Sequence, residues 1–208
     1  MFGLFISLQI INLKIEFMKR IFLTLAIFIP ILLFAQKSDP IADLEQYKDM
    51  YTVDGTNVVF TKVIENIPGT KDEIYSRVIS YFATAYNSAN NVIQQQDKDA
   101  GVVIGKGIFP DIYQEKVFLS VIPCDCRHTI RIDIKDGRVR VVISANQYIY
   151  NSIQNLNIID LYPLNEKQKV NKKFYANLFI ALCQTVDLTF SNIEKSLKNE
   201  LPTTNENW

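Results

Sequence analysis

"HTIRIDIKDGRVRVVIS", residues 128–144, alternates apolar and polar side chains on both sides of one dipeptide. Ile130, Ile132 and Ile134 are interleaved with Arg131 and Asp133, and Val139, Val141 and Ile143 resume the pattern after Asp136-Gly137. A period of two is that of a strand with one face buried, and Asp-Gly supplies the left-handed conformations a tight hairpin turn needs. The stretch therefore predicts a β-hairpin whose isoleucine face looks into a core.

Extending the first strand backwards gives "VIPCDCRH", residues 121–128, with two of the three cysteines and the only histidine. The same parity puts Cys124, Cys126 and His128 on the isoleucine side. Residues 110–123 are broken by Pro110, Asp111 and Pro123, although "KVFLSVI" reads as a short strand. Before them, "NVIQQQDKDAGVVIGKGIF" reads as strand, turn and strand, turning near Asp99 to Gly101.

Further back lies a helix. Pro68-Gly69 ends a strand over Val58 to Ile67, and Thr70 with Glu73 makes a capping box. Ile74, Val78, Phe82, Ala85 and Ala89 then form one apolar stripe at steps of three and four. Residues 36–57 are polar without a period and read as a mobile lead-in.

Beyond the hairpin, a polar connection bearing tyrosines runs from Gln147 to Pro163. A long helical stripe follows: Val170, Phe174, Leu178, Leu182, Val186, Phe190, Ile193 and Leu197. Asn165, with Gln168 three residues on, is its expected cap, and a kink is expected near Asp187 to Thr189. Residues 58–201 thus form one α+β domain, and 202–208 a polar tail. The economical arrangement is a curved antiparallel sheet with both helices packed on one face.

The first 35 residues have a different character. From Met18 the chain reads Lys19, Arg20, an apolar run from Ile21 to Phe34, then Ala35, the parts of a secretory signal. The run is shorter than the roughly 20 apolar residues a spanning helix needs. Cleavage is expected after Ala35, and Met18 is the expected true start. Export to the periplasm or surface of a Gram-negative-type bacterium follows, with no membrane span after signal removal. The processed chain would carry 19 basic against 21 acidic residues, which gives no electrostatic footprint for nucleic acid.

Three of these segments together carry a resemblance. "IPGTKDEIYSRVISYFATAY" (67–86), "VIQQQDKDAGVVIGKG" (92–107) and "IRIDIKDGRVRVVIS" (130–144) resemble the domain of unknown function 4468. The resemblance runs from about Val58 to Ser144 and takes in the C-terminal helix, so it covers most of the processed chain. It implies a TBP-like two-layer sandwich and membership of a family of exported bacterial proteins. It implies no activity, catalytic residue or cofactor. The fold shares its name with a DNA-binding protein, but fold does not carry function.

The chemistry-bearing residues have bland readings beside sharp ones. Cys124, Cys126 and His128 on one face, with Cys183 from the last helix, could surround a metal, yet their spacing is no usual zinc signature. Cysteine is also a small hydrophobe at home in a core. Cys183 with Cys124 or Cys126 is the best candidate disulfide if the Cα atoms approach within roughly 7 Å. "GVVIGKG" fails as a phosphate loop because three residues, not four, separate Gly101 from Gly105. Glycines in a strand more often mark a bulge or a close approach. No nucleophile elbow occurs and the lone histidine is bound for the core. A non-enzymatic binding or interaction domain is the leading expectation. Its partner would be a protein, peptide or small apolar ligand, met on the open sheet face or in the groove crossed by residues 147–163. Tyr148, Tyr150 and Tyr162 are candidates for that surface. The alternative is a metal- or thiol-dependent protein using Cys124, Cys126, His128 and Cys183.

Overall fold

The computed structural model describes residues 39–86 and 92–198. The expected leader with Met18 and Ala35, Ala89 of the first stripe and the tail 202–208 lie outside the described residues.

Seven antiparallel strands form one sheet: β1 (Thr52–Asp54), β2 (Asn57–Glu65), β3 (Ile93–Asp97), β4 (Val102–Val117), β5 (Ser120–Lys135), β6 (Arg138–Tyr150) and β7 (Gln154–Asn157). Their spatial order is β1-β2-β6-β5-β4-β3, with β7 paired to the far end of β6. Among the described residues three α-helices accompany them: α1 (Pro40–Asp43), α2 (Lys71–Ala85) and α3 (Lys172–Lys198). The α+β class and the one-sided arrangement expected from the sequence are both found. On the covered face Val58, Phe60 and Ile64 of β2 are buried together with Val139, Val141 and Ile143 of β6. Ile130, Ile132 and Ile134 of β5 join them, and so does Cys183 from α3. The hairpin read from residues 128–144 is in place, with Gly137 at φ 69°.

Helix α2 starts as its sequence dictates. The Thr70 hydroxyl accepts from the Glu73 amide, and the Glu73 carboxylate accepts from the Thr70 amide at 2.7 Å. Its first turn is further tied to the β5–β6 turn, because the Lys71 amide donates to Asp136 Oδ1 at 2.8 Å. The glycines of "GVVIGKG" explain how closely α2 sits on the sheet. A Cβ on Gly105 would lie 2.5 Å from the Phe82 ring, and one on Gly107 would lie 2.7 Å from Tyr86. They are bare so that aromatic rings can rest on the strand.

The structure departs from the sequence reading in five places, each for a local reason. First, the lead-in 36–57 contains α1, a 3-10 turn (Leu44–Tyr47) and β1, and Leu44, Tyr47, Met50 and Tyr51 pack against the core. Second, "KVFLSVI" is not one strand but the tip of the β4–β5 hairpin, turning at Phe118-Leu119 with Phe118 at φ 56°. Third, β4 passes through Pro110 by an irregularity, where Asp111 sits at φ 47° and its amide donates to Asp125 Oδ1 at 2.8 Å.

Fourth, the polar connection begins later than expected. β6 continues to Tyr150 because Asn146 is an extra residue between the pairs His128↔Ala145 and Arg127↔Gln147. Such a bulge breaks the alternation that periodicity relies on. Fifth, α3 starts at Lys172, not at Asn165. The Asn165 side chain instead accepts from the Lys167 amide, and Asn171 at φ 57° separates that turn from the helix. Val170 is accordingly exposed and not part of the stripe. The helix is continuous through Asp187 to Thr189, where the kink was expected.

Candidate functional site

The C-terminal half of α2, the C-terminal half of α3 and the middle of β4 do not close on one another. Between them lies a cleft of about 650 Å³. Tyr81, Thr84, Ala85 and Tyr86 form one wall, Thr189, Asn192 and Ser196 the other, and Ile108, Phe109 and Pro110 the floor. Ala85, which the sequence assigns to the buried stripe, opens into this cleft. Its lining offers hydroxyls, one amide and aromatic faces. Burial pushes the Tyr81 phenol up to about 12 and the Tyr86 phenol higher still, so both stay protonated at neutral pH.

His128 stands behind this cleft. Its Nε2 lies 2.8 Å from the Tyr86 hydroxyl, and its ring stacks on Phe109 with centroids 3.6 Å apart. Burial pushes its pKa down to about 4, against a weaker opposing pull from the Cys126 backbone. The ring is therefore neutral and holds Tyr86 in place.

The sulfurs face the core, as parity requires, and all three cysteines are free and buried. The bridge considered between Cys183 and Cys124 or Cys126 is not formed. Burial pushes Cys124 and Cys183 up to about 12 and Cys126 beyond, so none is a thiolate near neutrality. Among the described residues no three His, Cys, Asp or Glu side chains are gathered as a metal site, so the four candidates Cys124, Cys126, His128 and Cys183 do not meet around one point.

The three tyrosines are dispersed. Tyr148 is 1% exposed and belongs to the core. Tyr150 is half-buried, and its hydroxyl donates to Glu115 Oε2 at 2.6 Å. Tyr162 lines a second hollow of about 390 Å³ with Tyr51, Pro163, Glu166 and Lys172, whose Nζ lies 4.8 Å from the Tyr162 ring centroid. On the open sheet face Asp133 is clamped by Arg131 and Arg140. Partial burial would raise its pKa, but the two guanidinium hydrogen bonds prevail and hold it below the ordinary value.

The main cleft was missed by sequence reasoning because its walls come from helices a hundred residues apart. The available signal was the run of hydroxyl and amide positions beside each apolar stripe: Thr84 on one helix, Thr189, Asn192 and Ser196 on the other.

Comparison with known proteins agrees with this architecture. A family model described as "Domain of unknown function (DUF4468) with TBP-like fold" matches residues 60–149. Over that span the chain is similar to the DUF4468 family. This match runs from β2 to the end of β6 and so takes in the floor and one wall of the cleft. The fold is shared with a crystal structure of a DUF4468 family protein from Bacteroides ovatus at TM-score 0.60. That pair is 15% identical, over 76% of this chain and 96% of the other. A TBP-like protein from Parabacteroides distasonis gives TM-score 0.57 at 14% identity, over 72% and 98% of the two chains. At such identities the likeness establishes the DUF4468 fold alone. No curated protein matches the chain.

Proposed function

We propose that this DUF4468-like chain is an exported, non-enzymatic binding domain of the cell envelope that takes a small neutral ligand between α2 and α3. The observation that carries the reading is the chemistry of the cleft. Its lining can stack and hydrogen-bond, yet none of its side chains titrates near neutral pH. A general acid or base must change protonation near the working pH, and a nucleophile needs such a neighbour. Tyr81, Tyr86 and Phe109 offer aromatic surface, while Thr84, Thr189, Asn192 and Ser196 offer neutral donors and acceptors. That combination suits a hydroxyl-bearing, uncharged molecule such as a saccharide. Export rests on the leader pattern that ends at Ala35.

The test is titration of the protein with neutral mono- and oligosaccharides, read by amide chemical shifts. Shifts confined to the two cleft walls, abolished in Ser196→Trp, are expected. Reproducible hydrolysis by the pure protein, lost when one carboxylate is changed, would overturn the non-enzymatic reading. N-terminal sequencing of the protein from envelope fractions should begin at Gln36, and an intact leader on a cytosolic protein would defeat export.

A further inference from the structure

The β4–β5 hairpin outgrows the sheet. The last row shared by three strands is Tyr113–Cys124–Tyr150, and the Asn151 amide donates to the Pro123 carbonyl at 3.0 Å as β6 turns away. Beyond it Glu115↔Ile122, Lys116↔Val121 and Val117↔Ser120 continue as a two-stranded ribbon. At about 3.3 Å per residue its tip stands roughly 10 Å clear of the sheet.

That tip is apolar. Phe118 and Leu119 are 104% and 101% exposed, and Val117 and Val121 beside them are about half exposed. Ile153, 81% exposed, tips the neighbouring β6–β7 turn at the same end. Phe118 also adopts a left-handed φ of 56°, which glycine or asparagine would occupy at lower cost. A bulky ring held in that conformation, and fully in water, has no reason in folding.

Exposed lysines stand at and beside the base of the ribbon. Lys116 lies in the ribbon itself. Phe174 in the first turn of α3 packs edge-on against Tyr113 and Tyr150, which brings that end of the helix beside the ribbon's base. The segment leading into it carries exposed Lys167, Lys169 and Val170, and the first turn of α3 carries exposed Lys173. Acidic residues at this end include Glu115, which accepts from Tyr150, Asp111 and Asp125 at the irregularity of β4, and Glu166 next to Lys167.

We infer that this end docks on an anionic lipid bilayer, with Phe118 and Leu119 inserted between headgroups and the lysines resting on lipid phosphates. Three features favour a bilayer over a protein. The tip is convex and narrow, whereas a stable protein interface buries roughly 1,200 Å² or more. A bilayer needs no matched pocket, and a protrusion of this length reaches the boundary between headgroups and acyl chains, about 5–10 Å deep. Two copies meeting tip to tip would bring their lysines together. The inference is independent of the cleft and holds whatever ligand the cleft takes.

Trp208 is the only tryptophan, so Phe118→Trp in a Trp208→Phe background places a single reporter on the tip. The full chain is mixed with vesicles of phosphatidylcholine, alone or with phosphatidylglycerol, and with lipids brominated in their acyl chains. Blue-shifted, bromine-quenched emission in the anionic vesicles is expected. Leu119→Ser should cut the ratio of inserted to water-exposed tip roughly tenfold. Lys167→Glu should cut it about fivefold or more, and added salt should have the same direction of effect. The leader is common to every variant, and a reporter at exposed Val53 on β1 should remain water-like. Water-like emission from the tip in both vesicles overturns the inference, as does equal insertion into both. A blue shift without lipid that grows with protein concentration would indicate a second copy and overturn it too, as would burial of the reporter at position 53.

Discussion

The Nε2 of His128 and the hydroxyl of Tyr86 lie 2.8 Å apart, joining the middle of β5 to the end of α2. Because the imidazole is buried, its pKa falls from 6.5 to about 4. On unfolding, the ring regains its ordinary affinity and takes up a proton that the folded state refuses. Stability is therefore complete above pH 6.5 and declines as the pH drops from 6.5 toward 4. The loss should reach roughly 3 kcal/mol. No other histidine competes in this window. Urea unfolding at several pH values should show the slope, and His128→Gln should flatten it. An unchanged slope in the variant would disprove the assignment.

Gly105 and Gly107 are required by the rings above them. Gly105→Ala places a methyl group 2.5 Å from a fully buried Phe82 and should destabilise by about 1–3 kcal/mol. Phe82→Leu should recover part of that loss when combined with it, a coupling a double-mutant cycle measures directly. Strict additivity of the two changes would show that the contact is not the cause.

Arg77 is a buried cation with a structural task. Its Nη1 donates to the Leu197 carbonyl at 2.7 Å and its Nη2 to the Pro68 carbonyl, so it ties the end of α3 to the start of α2. Arg77→Met would strand both acceptors and should cost about 2–3 kcal/mol. Thermal unfolding checks this, and hydrogen exchange should show fraying of the last turn of α3 first. A variant as stable as the parent would remove Arg77 from that role.

Three buried thiols with raised pKa values should be slow to react. Alkylation of the native protein should proceed at the rate of unfolding, then reach all three cysteines in denaturant. Rapid native labelling of Cys124, Cys126 or Cys183 would contradict their placement in the core.

Where the physics was local, the sequence sufficed. Thr70 and Glu73 satisfy each other's amides within one turn, and the isoleucines of β5 announce their shared face by parity alone. The errors arose where a signal was missing or masked. The turn at Phe118-Leu119 contains neither glycine, proline nor asparagine, so nothing in its composition marks it. Asn165 has the chemistry of a helix cap, but Asn171 in a left-handed conformation diverts it to a separate turn. The cleft depends on how two distant helices diverge over β4, which no periodicity encodes. The inward-facing cysteines and histidine were readable because they needed only a strand.

Asn146 makes the sheet change step. Up to Ala145 the odd-numbered residues of β6 look toward the helices, and beyond it the even-numbered Tyr148 and Tyr150 do. Deleting that one asparagine would therefore send a tyrosine pair outward and drag Gln147 and Ile149 beneath α3. Any alignment of distant relatives that slips by one position here will match residues of the open face with residues of the helix-covered one, although every strand is correctly paired.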